Sequence, residues 1–303
     1  MHVLRTVVNI NEITGSSWNE LNDAVYAESW QADIGRFRSN LAFRGVSNAA
    51  YSSLRTSLMR LGGPYEQMEA HLLRNFRKYA YLDLVPSLGS DSVWYWLAVA
   101  QHHGLPTRLL DWTYSPYVAM HFATADLEHF DRDGLIWCIN YVQSTMALPE
   151  RLQLMLSAEG GNVFTAEMLG RVASTLTEFD SLAAEDAARP FVTFFEPPAL
   201  DSRIVNQYAL FSLMSSGTVS LDDWLATSPA LARKIIIPAD LKWEVRDKLD
   251  QANITERVLF PGLDGLSSWL RRHYSPRLAD NQGQGVEEPS AQTTARRVPT
   301  EQS

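Results

Sequence analysis

The stretch Gln101-His102-His103-Gly104-Leu105-Pro106-Thr107-Arg108-Leu109-Leu110-Asp111-Trp112-Thr113 decides how this chain is read. It sets two histidines, an arginine, an aspartate and a tryptophan around a glycine and a proline. Upstream, Ser92–Gln101 carries Val93, Trp96, Leu97 and Ala100 at helical spacing, and Gly104 and Pro106 stop that helix. Thr107–Thr113 then reads as extended. Ser115-Pro116 restarts a helix, with serine as cap and proline at the first position, and that helix is predicted to run through Tyr117–Phe130. Polar side chains between such apolar segments are costly unless paired. The stretch is therefore either a satisfied structural network or a site.

Working outward, a short strand is expected at Leu4–Ile10. Ser16-Ser17-Trp18-Asn19-Glu20 has the pattern of a helix start, leading into a helix that carries Trp18, Leu21, Val25 and Trp30. Leu41–Gly45 reads as a strand ending in a glycine turn, and Glu66–Tyr81 as a helix. Gly134–Tyr141 and Lys234–Ile237 are apolar strands, with weaker ones at Phe191–Phe195 and Ala209–Met214. Asp240–Gln251 is an amphipathic helix. These strands do not alternate regularly with helices, which argues against a doubly wound parallel sheet. The expected class is α+β, with a central mixed or antiparallel sheet flanked by helices. No linker-like stretch divides residues 1–274, read as one domain. Residues 275–303 are polar and expected to be a disordered tail.

The chain has 303 residues, 46% of them hydrophobic, enough for a large core. Its net charge is −9, which disfavours broad electrostatic capture of nucleic acid. The single cysteine, Cys138, lies in the apolar run Leu135–Ile139 and reads as a core residue. One thiol without a disulfide framework suits a reducing cytoplasm. The N-terminus lacks the apolar segment of a signal peptide, and no apolar run is long enough for a bilayer, so no membrane partner is expected.

No phosphate-binding loop, dinucleotide fingerprint, zinc-protease helix or nucleophile elbow is present, and no metal is expected. Alternation places Thr107, Leu109, Asp111 and Thr113 on one strand face and Arg108, Leu110 and Trp112 on the other, so Arg108 and Asp111 each need a separate partner. In Phe43-Arg44-Gly45, the arginine can hold a phosphate or carboxylate bidentately and the glycine permits close ligand approach. Arg203-Ile204-Val205-Asn206-Gln207 is a third candidate. Each has a structural alternative: Arg44 as an ion-pair partner, His102 as a helix C-cap, Asp111 as a loop anchor, Gln207 as a satisfied amide.

Three segments together resemble the FRG domain family. The first is Phe43-Arg44-Gly45 with Leu54 and Arg60. The second is Gln101–Thr113 continuing through Ser115-Pro116 to Ala119-Met120-His121-Phe122-Ala123. The third is Arg203-Ile204 with Gln207 and Phe211, followed by Leu259–Leu266. The motif core spans about 36–141 and the likeness covers most of residues 10–272. Ala209 stands where the third motif commonly has glycine.

The order of these motifs is in turn similar to that of ADP-ribosyltransferases. The likeness implies such a fold and NAD as substrate. It casts Arg44, Thr113 and Gln207 as catalytic. It assigns NAD contacts to Phe43, Arg44, Gly45, Gln101, His102, Thr107, Arg108, Asp111, Trp112, Thr113, Ser115 and Arg203. The usual glutamate is replaced by Gln207, which accepts a ribose hydrogen bond but cannot serve as a base. Asp111, Glu196, Asp201 or Glu256 would have to supply the charge. Three readings stay open. The first is a toxin or phage-defence effector that modifies a macromolecule, with an antitoxin or chaperone as partner. The second is a non-catalytic nucleotide- or protein-binding module. The third is a hydrolase or nuclease using His102 or His103 with Asp111.

Overall fold

The computed structural model describes residues 10–80, 92–185 and 189–277. Nearly all of the expected strand Leu4–Ile10, the last residue of the expected helix Glu66–Tyr81 and most of the expected tail lie outside the described residues. The strands are β1 (Asn11–Thr14), β2 (Trp30–Gln31), β3 (Arg36–Phe37), β4 (Leu41–Val46), β5 (Leu109–Thr113), β6 (Gly134–Asn140), β7 (Phe164–Thr165), β8 (Val192–Glu196), β9 (Ala209–Met214) and β10 (Ala232–Ile237). The first seven helices are α1 (Trp18–Tyr26), α2 (Ser57–Leu61), α3 (Tyr65–Ala80), α4 (Val93–His102), α5 (Pro116–Ala123), α6 (Tyr141–Ser144) and α7 (Glu150–Glu159). The rest are α8 (Ala166–Val172), α9 (Leu176–Glu185), α10 (Ser202–Asn206), α11 (Leu221–Leu225), α12 (Lys242–Gln251), α13 (Glu256–Leu259) and α14 (Leu263–His273).

Eight strands form one mixed sheet in the order β1-β10-β6-β4-β5-β9-β8-β7, which is the expected α+β architecture. Its outermost pairs, β1–β10 and β7–β8, are parallel and the interior is antiparallel. At the centre, β4 and β5 pair only at Phe43↔Thr113, whereas β4 and β6 stay in register over six residue pairs. The sheet thus consists of two halves joined at one pair.

Strand alternation distributes the core accordingly. On one face, each half has its own helices. Leu41, Phe43, Ile136 and Cys138 pack under α1, α5 and α12. Leu109, Phe195, Phe211 and Leu213 pack under α4, α7, α8 and α9. The opposite face is shared by both halves: Ala42, Trp137, Leu110, Trp112 and Phe194 meet there beneath Leu54 and α11. Polar groups close the helix ends. Ser17 accepts from Glu20 N and Ser115 from Val118 N, both as expected. Gly104 follows α4 at φ +80°, which its missing Cβ allows.

Several boundaries differ from expectation. α5 stops at Ala123, where the Thr124 backbone leaves helical angles at φ −128° and its hydroxyl donates to the Met120 carbonyl at 2.8 Å, and a separate 3-10 turn follows at Leu127–His129. α1 stops at Tyr26; Trp30 belongs instead to the β2–β3 hairpin, where its ring packs against Phe37. The segment before Gln207 is the short helix α10, started by Asp201.

Candidate functional site

Gly45 has a packing role. A Cβ there would stand 1.9 Å from the Ala119 carbonyl oxygen and 2.6 Å from Ala123 N. The backbone of α5 lies directly on β4, so glycine on the strand and two alanines one turn apart on the helix are needed. This corrects the expectation that Gly45 makes room for a ligand: the room is taken by α5. Phe43 and Trp112 are likewise committed. Phe43 is fully buried under α5, and the Trp112 indole donates to Ser212 Oγ at 2.9 Å inside the shared core.

The central polar run is a chain of satisfied bonds. Thr107 Oγ1 donates to Gln101 Oε1 at 2.5 Å and accepts from Leu109 N. The Gln101 amide donates to both Asp111 carboxylate oxygens, at 3.1 and 2.9 Å. Arg108 is buried and donates to Glu69 at 2.6 Å and to Asp180 at 2.5 Å. Those carboxylates lie on α3 and α9, the helices that cover Leu109. Arg108 therefore does not share a face with Leu110 and Trp112, because it precedes β5 and strand alternation does not yet apply to it. His102 Nε2, at the end of α4, pairs at 2.8 Å with Oδ2 of Asp201, the residue that caps α10. Asp201 stays below its ordinary pKa despite desolvation, held by the Ile204 amide and His102. His102 and Asp111 thus have different partners, and the hydrolase pair is not assembled; His103 packs on Phe76.

Thr113 and Gln207 do come together, as a joint. Thr113 Oγ1 donates to the Gln207 carbonyl at 2.7 Å and accepts from Ser115 N at 3.0 Å. The Gln207 amide itself donates to the Leu259 carbonyl, tying α10 to α13. Arg203 lies over the Phe260 ring. Ser115 is the α5 cap.

Arg44 differs from these. It is half-buried at the point where β4 and β5 part, and its Nη1 donates to the Asp111 main-chain oxygen at 2.6 Å, bridging the two halves. Burial lowers its pKa; Asp111 acts against that and Arg60 adds to it. No carboxylate lies within ion-pair distance of Arg44 among the described residues.

The carboxylate on the same sheet face is Glu196. Register pairs run Phe43↔Thr113, Trp112↔Leu210 and Phe195↔Phe211. One step further along, Arg44, Trp112, Leu210 and Glu196 form a row across four strands on the shared face. Between its ends, Trp112 and Leu210 are buried in the shared core, and only Arg44 and Glu196 reach toward the surface. Glu196 is exposed and accepts from the Tyr114 hydroxyl at 2.9 Å. The Tyr114 ring packs against Tyr208 at 4.9 Å and Tyr141 at 5.6 Å between centroids. Tyr208 is exposed with φ +50°, an uncommon conformation for a non-glycine residue. Burial and Glu196 raise the pKa of both Tyr114 and Tyr141, which keeps Tyr114 a protonated donor to Glu196. Sequence reasoning named Glu196 but missed the tyrosines. Two of them sit beside named residues, Thr113 and Gln207, and that adjacency was the available signal.

A buried network also escaped notice. Arg246 Nη1 donates to His121 Nδ1 at 2.7 Å, and Arg246 and Arg272 both donate to Glu256. Glu256 is held down to about 2 by those arginines against its desolvation, so its charge is spent in the fold. Among the described residues no cluster of metal-ligating side chains occurs, and no helix is long and apolar enough to cross a membrane.

No curated protein and no solved structure matches the chain. The family model described as FRG domain matches residues 39–132, from just before β4 to just past the 3-10 turn after α5. That span holds Arg44, Gly45 against α5, and the polar chain from Gln101 to Thr113, and it identifies the protein as one that carries an FRG domain.

Proposed function

We propose that the protein is an ADP-ribosyltransferase-like effector that consumes NAD and modifies a macromolecule, in the manner of a toxin or phage-defence protein. The observation that carries this reading is Arg44: a half-buried guanidinium with a main-chain oxygen as partner, set where the two halves of the sheet part. Such a group suits bidentate capture of a pyrophosphate. Glu196, on the same register row, supplies the carboxylate that Gln207 does not. In the reaction the bond between nicotinamide and ribose breaks, nicotinamide leaves with the bonding electrons, and an acceptor nucleophile bonds to the anomeric carbon and gives up its proton. Negative charge near that carbon stabilises the oxocarbenium-like transition state. Tyr114 orients Glu196, and Tyr208 offers an exposed ring for stacking. Thr113 and Gln207 act as positioning residues that hold the end of β5 to α10. The acidic chain favours a protein acceptor over nucleic acid.

The test is nicotinamide release from NAD by the full chain, with labelled ADP-ribose transfer to lysate as a second readout. Glu196→Gln removes a charge at an exposed position; turnover should fall about a hundredfold or more while NAD still binds. Arg44→Ala should raise the Kd for NAD. Unchanged turnover in both variants refutes the assignment. Because Gln207 spends its amide on Leu259, a second reading is a binding module. Saturable NAD binding with no nicotinamide released would select it.

A further inference from the structure

A roomy cavity lies away from Arg44, at the outer edge of the same half-sheet, where β10 joins β1 and β6. It encloses about 740 Å³ between β1, β6, β10, α6 and the 3-10 turn Pro229–Leu231. Its lining includes the apolar side chains of Leu41, Met146, Pro229 and Leu231. It also includes the polar side chains of Asn11, Asn140, Gln143 and Arg233. Arg233 is the unusual member. It is 8% exposed, and register places it between Asn11 on β1 and Cys138 on β6. Its Nη2 donates to the Ala27 carbonyl at 3.0 Å, at the end of α1. Its Nε is buried with no hydrogen-bond partner of ordinary geometry, and the guanidinium leans on the Cys138 thiol, a weak acceptor. Its nearest carboxylate among the described residues, Glu28, also lines the cavity and makes only a long ion pair with it, at 3.7 Å from a side chain that is 78% exposed and free to swing into solvent. Cys138 feels the arginine's charge, but burial dominates and pushes the thiol up to about 12, so it supplies no anion. By contrast, the buried Arg108 and Arg272 each make short bonds to two carboxylates. A buried cation with no short anionic partner is costly, and here it borders a roomy cavity.

We infer that this cavity is a binding site for a small amphipathic anion, with Arg233 taking the charged head group and the apolar lining residues Leu41, Met146, Pro229 and Leu231 taking an apolar tail. The amides of Asn11 and Gln143 stand beside the head group as further donors. A carboxylate and a phosphate monoester present the same chemistry to a guanidinium. The inference is independent of NAD turnover, since Arg233 has no part in that site.

Calorimetric titration of the full chain with octanoate, octyl phosphate, octan-1-ol and inorganic phosphate tests it. The two amphipathic anions should bind saturably, and the tighter names the head group. Octan-1-ol and inorganic phosphate should each bind at least tenfold more weakly. Arg233→Gln should weaken the anions at least tenfold. Should that variant fail to fold, Ala230→Trp at the exposed mouth fills the cavity without touching the arginine and should abolish binding. No saturable anion binding by the unsubstituted protein, equal binding of octan-1-ol, or undiminished binding by folded Arg233→Gln or Ala230→Trp would each overturn the assignment.

Discussion

Gly45→Ala is the sharpest test of how the FRG motif works. The new methyl would start 1.9 Å from the Ala119 oxygen and 2.9 Å from its carbonyl carbon. Both are backbone atoms inside a helix, so no side chain can swing away. For ordinary contact α5 must retreat from β4 by more than about 1 Å, and a gap of that size forfeits a quarter to a half of each contact's attraction along the interface. The face that would open carries Ala119, Met120 and Ala123, all fully buried. Overpacking of this kind costs about 3 kcal/mol, at the upper end of its usual range. For a domain of this size that corresponds to a fall in Tm of about 6–12 °C. Thermal and urea denaturation of Gly45→Ala beside the unsubstituted chain reads this directly. A variant with unchanged Tm that loses only NAD binding would refute the packing argument and return Gly45 to the role of ligand clearance.

Other predictions concern the buried polar groups. Glu69→Ala strips Arg108 of its better-buried partner and should cost about 3–5 kcal/mol in urea unfolding, whereas Glu69→Leu combined with Arg108→Met should cost less than the sum of its parts. Thr113→Val leaves Ser115 N and the Gln207 carbonyl without their bond and should cost about 1–3 kcal/mol; NAD turnover lost from a protein of unchanged stability would instead make Thr113 a catalytic residue. Burial, with Arg246 beside it, lowers the His121 pKa to about 3. The unfolded ring takes up a proton near pH 6.5 that the folded ring refuses, so its stability contribution is complete above that pH and declines below it. The slope is about 1.4 kcal/mol per pH unit between pH 6 and 4. Below pH 4.5 Glu256, held down to about 2, adds a loss of the same sign. Urea unfolding from pH 7.5 to 4.5 should therefore show the stability gap between the unsubstituted protein and His121→Gln shrink as pH falls; a constant gap would contradict it.

Local signals were strong where backbone chemistry decides the outcome. Ser115-Pro116 announced α5, Gly104 ended α4 just before it, and the apolar runs around Cys138 and Ile235 became adjacent strands. The mixed sheet followed from irregular strand spacing. Partners distant in the chain were not legible. Arg108 meets carboxylates 39 and 72 residues away, and strand alternation misassigned its face because the strand begins one residue later. Gln207 looked available because its acceptor, Leu259, lies 52 residues further on. Helices α7 to α9 went unread for a related reason: their core-facing residues interleave with exposed polar ones over short spans, and only packing on the β5–β9 half shows which face is buried.

Most residues that make the motif recognisable hold the fold. Gly45 admits α5, Thr107 and Gln101 position Asp111, Arg108 anchors α3 and α9, and Thr113 clamps α10. A residue used in this way has its hydrogen bonds filled and its surface covered, and little of either remains for a ligand. By that criterion Arg44, half-buried, bonded to a main-chain oxygen and placed where β4 leaves β5, is the motif residue left for the NAD chemistry proposed above. The partners for such chemistry must then come from groups the motif leaves uncommitted. On the same sheet face those are Glu196 and the tyrosines around it. They stand on the other side of a single strand pair, so the joint at Phe43 and Thr113 sets their distance from Arg44. A change that loosens this joint, such as Thr113→Val in a protein that remains folded, should weaken NAD binding even though Thr113 touches no ligand. A change at Arg203, outside the row and packed on Phe260, should leave it unaltered. Equal effects of the two substitutions on the Kd for NAD would break the link between strand register and site.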